Sequence, residues 1–111
     1  MLLRTKIIAK AEISRVLDEE IDTFNPSAVA VHPETGDLYV TATRGQLLVV
    51  LDGGEAMSIK ACVHLPRDPF VQPEGITFDD EANLYIANEG RGKEGGPGWG
   101  TVVMFKYMRS E

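Results

Sequence analysis

Cysteine occurs once in the 111 residues, at Cys62. A single thiol closes no intramolecular disulfide and builds no cysteine-ligated zinc site within one chain. Cations are scarce beside anions: Lys+Arg is 11 against Asp+Glu 17, a net charge of -6. That balance disfavours non-specific nucleic-acid binding, which needs positive charge on the phosphates, and docking on anionic lipid. No apolar run approaches the roughly 18 residues needed to cross a bilayer, so no direct membrane insertion is expected. Met1-Leu2-Leu3-Arg4 is too short and too soon charged for a secretory signal. Biased sequence is confined to one stretch, Gly90 to Gly100, which reads as a long surface loop. What remains is an ordinary globular mixture, 43% hydrophobic and 25% charged, sized for a single domain over residues 1–111.

An internal repeat organises that domain. Phe24-Asn25-Pro26-Ser27-Ala28-Val29-Ala30-Val31 ahead of Leu38-Tyr39-Val40 matches Val71-Gln72-Pro73-Glu74-Gly75-Ile76-Thr77-Phe78 ahead of Leu84-Tyr85-Ile86. The period lies in the mid-forties, close to the roughly 40–45 residues of WD-type propeller blades. The one-residue difference between copies falls in the turn, where an insertion costs least. Ala28–Val31 and Gly75–Phe78 are short and β-prone; Thr35-Gly36-Asp37 and Glu81-Ala82-Asn83 supply turn chemistry. Leu38–Thr41 and Leu84–Ala87 follow as second strands, Gln46–Leu51 and Thr101–Tyr107 as apolar third strands. Met57–Leu65 alternates with period 2 and reads as a half-buried fourth strand.

The expected fold is therefore all-β: four-stranded antiparallel blades of the β-propeller type, about two per chain, at residues 24–65 and 71–107. The N-terminus offers two patterns. Ile7, Ala9, Ala11 and Ile13 alternate as a strand, whereas Ile13, Val16, Leu17, Ile21 and Phe24 fit helical spacing. A strand over about residues 5–16 is expected, since the second blade lacks an outer strand and the repeat calls for one here. Two blades close no ring, which needs at least about four. Either the chain is a C-terminal fragment of a longer propeller or copies self-associate, three of them closing six blades with each split blade completed by a neighbour.

The stretches Pro73-Glu74-Gly75-Ile76-Thr77-Phe78-Asp79 and Asn83-Leu84-Tyr85-Ile86-Ala87-Asn88-Glu89 resemble the C-terminal signature of bacterial SdiA-regulated proteins. Pro26–Pro33 with Leu38-Tyr39-Val40 resembles that family's preceding blade, so the likeness spans about residues 24–107. NHL-type and lactonase-like propellers carry looser versions. The resemblance implies a β-propeller of the bacterial cell envelope with calcium as the expected cofactor. The chain is shorter than such proteins.

In a blade, the start of the innermost strand and the loop between strands two and three share one face. That face would gather Glu74, Asn88 and Glu89 as oxygen ligands suited to Ca²⁺. Asn25, Ser27, Thr43, Arg44, Gln72, Arg91, Lys93 and Trp99 would join it as ligand-face candidates. The competing reading makes Glu74 and Asn88 loop-fixing residues that bond backbone amides. Asp79-Asp80-Glu81-Ala82-Asn83 fails as an EF-hand, with Leu84 where glycine is needed and Gly90 where a bidentate Glu is needed. The glycine-rich loop has no Gly-Lys-Ser/Thr ending and opens a strand, so it is no phosphate cradle. Cys62 and His64 share one strand face without a third ligand, and His32 reads as a turn residue.

No acid–base constellation is evident. The sequence thus points first to a non-catalytic binding or scaffold propeller segment. The alternatives are a truncated fragment without autonomous activity and a calcium-dependent lactonase- or esterase-like hydrolase. In the last, Glu74 and Glu89 would supply a metal ligand and a base.

Overall fold

A computed structural model describes residues 3–44, 46–67, 70, 72–89 and 100–108. Among these residues one helix precedes seven strands: α1 (Lys10–Leu17), β1 (Asn25–Val31), β2 (Leu38–Arg44), β3 (Leu47–Leu51), β4 (Ile59–His64), β5 (Pro73–Phe78), β6 (Leu84–Glu89) and β7 (Gly100–Phe105). Strands β1-β2-β3-β4 form one antiparallel meander, sheet 1, and β5-β6-β7 a second, sheet 2. The chain is all-β with two blade-like sheets, as the repeat predicts. The repeat also holds in register: Leu38 pairs with Leu51 where Leu84 pairs with Phe105, and Tyr39 with Val50 where Tyr85 pairs with Met104.

The N-terminal strand expected over residues 5–16 is not formed; Lys10–Leu17 is a helix instead. Sequence alternation loses to helical spacing because of what each pattern buries. Ile13 is fully buried and Leu17, one turn on, packs beside it, whereas Ile7 is 81% exposed and Ala9 and Ala11 are exposed. Lys, Ala, Glu, Arg and Leu at these positions are all good helix formers. Glu12 lies in the first turn and Arg15 in the last, each favourable to the helix dipole. Asp18 ends the helix in the left-handed region at φ 57°, where Asp is among the few tolerated side chains.

Sheet 1 is thereby packed on both faces. On one side Ile13 joins Val40, Leu47, Val49 and Leu51, flanked by Ile8, Leu17, Ile21 and Phe24. On the other, Leu48 and Tyr39 meet Leu84, Ile86, Ile76, Phe78 and Val103 of sheet 2, with Leu65 and Phe70. Every residue of β3 is consequently buried. Strand β7 is apolar from Val102 to Phe105, yet Val102 is 68% exposed, Met104 49% and Phe105 42%. The difference is position: β3 is a central strand of a covered sheet, and β7 edges a sheet covered on one face.

Glycine is required at one close crossing: a Cβ on Gly53 would lie 2.4 Å from the Gly36 carbonyl oxygen. The β3–β4 turn rests there on the β1–β2 turn. The Gly53 N–H donates to Asp37 Oδ1 at 3.1 Å, and Lys60 Nζ reaches Asp37 Oδ2 at 2.9 Å.

Candidate functional site

The two sheets meet along the starts of β1 and β5 and the end of β2. Proline is the second residue of β1 and the first of β5, and a register shift follows it in each: between Pro26 and Ala28, and between Pro73 and Gly75. Proline has no N–H for the ladder, so a strand interrupted there bends and re-aims its neighbours. Between the sheets the Pro73 carbonyl accepts two hydroxyls, Ser27 Oγ at 2.9 Å and Thr43 Oγ1 at 3.0 Å. Ser27 Oγ lies 3.1 Å from Thr41 Oγ1, whose residue is fully buried. With the Ser27 proton directed to Pro73, Thr41 is the donor in that pair. Glu74 Oε1 accepts from Gln72 Nε2 at 3.1 Å and stands 3.5 Å from Thr43 Oγ1.

Asn88 pairs with Pro73 across the ladder and is 5% exposed. Its Nδ2 donates to the Ile86 carbonyl at 3.3 Å. Its Oδ1 is buried with no hydrogen-bond partner, alone in this among the described side chains. An unmade bond of this kind costs about 1–3 kcal/mol, so a donor or cation at this oxygen would recover stability.

Of Glu74, Asn88 and Glu89, two lie at one corner of the sheet and one does not. Glu74 and Asn88 both flank Pro73, one by sequence and one by pairing. Glu89 follows Asn88 on β6 and is exposed where Asn88 is buried, so it faces the other side of the sheet. Among the described residues no three His, Cys, Asp or Glu side chains are grouped as a metal site would need. Asn25 pairs with Arg44 at the outer end of the β1–β2 ladder. Arg91, Lys93 and Trp99 lie outside the described residues. Sequence reasoning named Ser27 and Thr43 but missed Thr41, which reads in sequence as one more β-branched strand residue. His32 does act as a turn residue: its Nδ1 accepts the Glu34 and Thr35 N–H groups at 3.1 and 3.2 Å.

The SdiA-regulated family profile matches residues 1–91. The chain belongs to the SdiA-regulated family. No curated protein matches it. The match takes in α1, both proline-led strands and the Ser27, Thr43, Glu74 and Asn88 positions, so the inter-sheet rim of this SdiA-regulated chain lies within the family region. Burial raises the Cys62 thiol pKa, with Glu12 adding to the shift. The thiolate that nucleophilic chemistry requires is therefore disfavoured.

Proposed function

We propose that this SdiA-regulated chain is a non-catalytic binding or scaffold segment of a propeller of the bacterial envelope. In this reading a calcium ion is held at the rim between the sheets. The observation that carries the reading is the buried, unpartnered Oδ1 of Asn88 beside the Glu74–Pro73 corner. Calcium takes oxygen ligands of mixed kind, and a carboxylate, an amide oxygen and water suit it. Glu74 and Asn88 would hold the ion and draw β5 and β6 together at the edge facing sheet 1. The ion would there be structural, fixing the surface that β1, β2 and β5 present. The envelope location is supported by the family alone.

Titration calorimetry of the full chain with CaCl₂ tests this. One saturable site is expected, weakened at least about tenfold in Glu74→Gln, since a carboxylate–cation contact is lost. Glu89→Gln is expected to bind as wild type does. Absence of binding heat, together with an unchanged melting temperature in calcium, would remove the calcium part of the proposal.

A further inference from the structure

At the opposite end of the strands from the Pro73 rim, the β1–β2 turn of sheet 1 meets sheet 2 and the residues that follow β7. A cavity of about 250 Å³ lies there, lined in part by His32, Tyr39, Phe78, Phe105, Lys106 and Tyr107. Four of these rings hold one another. His32 lies 5.0 Å from Phe78, 5.3 Å from Tyr107 and 5.9 Å from Tyr39, and Tyr39 stands edge-on to Phe78 at 5.0 Å. The Tyr107 N–H donates to Asn83 Oδ1 at 2.9 Å, which ties this segment to the β5–β6 turn.

Two donors on side chains that line the cavity have no partner among the described residues. The first is on His32, which is 4% exposed. Its Nδ1 accepts both the Glu34 and the Thr35 N–H, so the ring proton sits on Nε2. Nε2 makes no hydrogen bond among the described residues. The neighbouring ring faces are weak acceptors and leave that donor available. The second is on Lys106, which is exposed. Of the described lysines, Lys6 pairs with Glu12, Lys60 pairs with Asp37, and Lys10 Nζ donates to the Asp22 carbonyl. Lys106 alone is left without a partner among the described residues. The carboxylates of the two turns are already occupied. Asp37 takes Gly53 and Lys60, and Asp79 takes the Glu81, Asn83 and Tyr85 donors.

We infer that this cavity binds a small aromatic carboxylate, its ring among the aromatic side chains and its carboxylate on the Lys106 ammonium and the His32 Nε2–H. An unpaired ammonium and a buried N–H both select an anion, and each forms a charge-assisted bond with a carboxylate. Rings alone would also attract an organic cation, but the Lys106 charge opposes one here. Offset and edge-on contacts with Tyr39, Phe78 and Tyr107 favour a flat apolar body. The volume is below the roughly 300–1,000 Å³ of sites for drug-sized ligands, so a single ring is the size that fits. The inference concerns a different site from the calcium rim and stands apart from it.

Amide chemical-shift titration of the full chain with sodium benzoate is the test, run to about 20 mM at constant ionic strength to bracket a millimolar Kd. Saturable shifts at the His32, Phe78 and Tyr107 amides are expected. Benzyl alcohol keeps the ring and loses the charge; acetate keeps the charge and loses the ring. Each is expected to bind at least about tenfold more weakly than benzoate. Lys106→Met keeps the aliphatic stem at an exposed position. It is expected to weaken benzoate about tenfold and to leave benzyl alcohol unchanged, a difference that a folding defect would not produce. Lys10→Met, on the helix, leaves benzoate binding unchanged. Absence of saturable shifts at these amides overturns the inference, as does wild-type benzoate affinity in Lys106→Met. Benzylamine binding more tightly than benzoate overturns it in favour of a cation site. Acetate or benzyl alcohol matching benzoate overturns it in favour of a general anion contact or a plain apolar hollow.

Discussion

Asp79 and His32 occupy the same place in the two repeats and organise their turns with different atoms. His32 turns one ring nitrogen onto two backbone amides, and its ring packs against Phe78 at 5.0 Å and Tyr107 at 5.3 Å. Asp79 takes the Glu81 and Asn83 N–H groups on Oδ1 and the Asn83 amide and Tyr85 hydroxyl on Oδ2, at 2.9 to 3.0 Å. The Asn83 side-chain bond, above all, holds the Asp79 carboxyl below its ordinary value of 3.8, with partial burial opposing. The Lys60 bond does the same for Asp37. A carboxyl lowered in the folded state stabilises it above the unfolded value, and that stability is lost as pH falls through the folded value. The melting temperature is therefore expected to be flat above about pH 5 and to drop below about pH 4. Asp79→Asn is expected to melt a few degrees lower at pH 7 and to show a shallower acid limb, measured by calorimetry from neutral to acid pH. The turn roles of Gly36, Asp37 and Asn83 are legible in the sequence because turn chemistry is local. The unmet Asn88 oxygen is not, since it depends on which groups the other strands bring near.

At the scale of elements, the strands are readable and the N-terminal helix is not. The strands carry evidence of their own: β1, β2 and β3 have second copies in β5, β6 and β7, and β4 has its period-2 alternation. Residues 5–16 have no second copy, and their alternating and helical patterns share Ile13. The face of sheet 1 decides between them: Val40, Leu47, Val49 and Leu51 leave an apolar surface that one helical stripe can cover. Ile13 is the centre of that contact and is fully buried. Ile13→Ala is expected to cost about 2–5 kcal/mol, the range for truncating a buried aliphatic side chain. Urea denaturation followed by far-ultraviolet circular dichroism would read this as a lower midpoint with an unchanged slope. Ile7→Ala, at a position 81% exposed, is expected to change little.

For the whole molecule, the order of layers is helix, sheet 1, sheet 2, open face. The sequence predicts the two sheets and their likeness to propeller blades, but it does not predict that one end of the stack is closed by a helix. The split-blade scheme, with an N-terminal strand completing a neighbour's sheet, is left without its donor strand. The rim between the sheets follows from the stacking: Ser27, Thr43 and Pro73 come from segments far apart in sequence and meet only once β1 lies against β5. The most direct test of this layer order is a methyl and amide NOE spectrum of the full chain. Contacts from the Ile13 methyls to Val40, Val49 and Leu51, with helical shifts over Lys10–Leu17, are predicted. Strand shifts over residues 5–16, with contacts from that segment to β7, would contradict the account and restore the split blade.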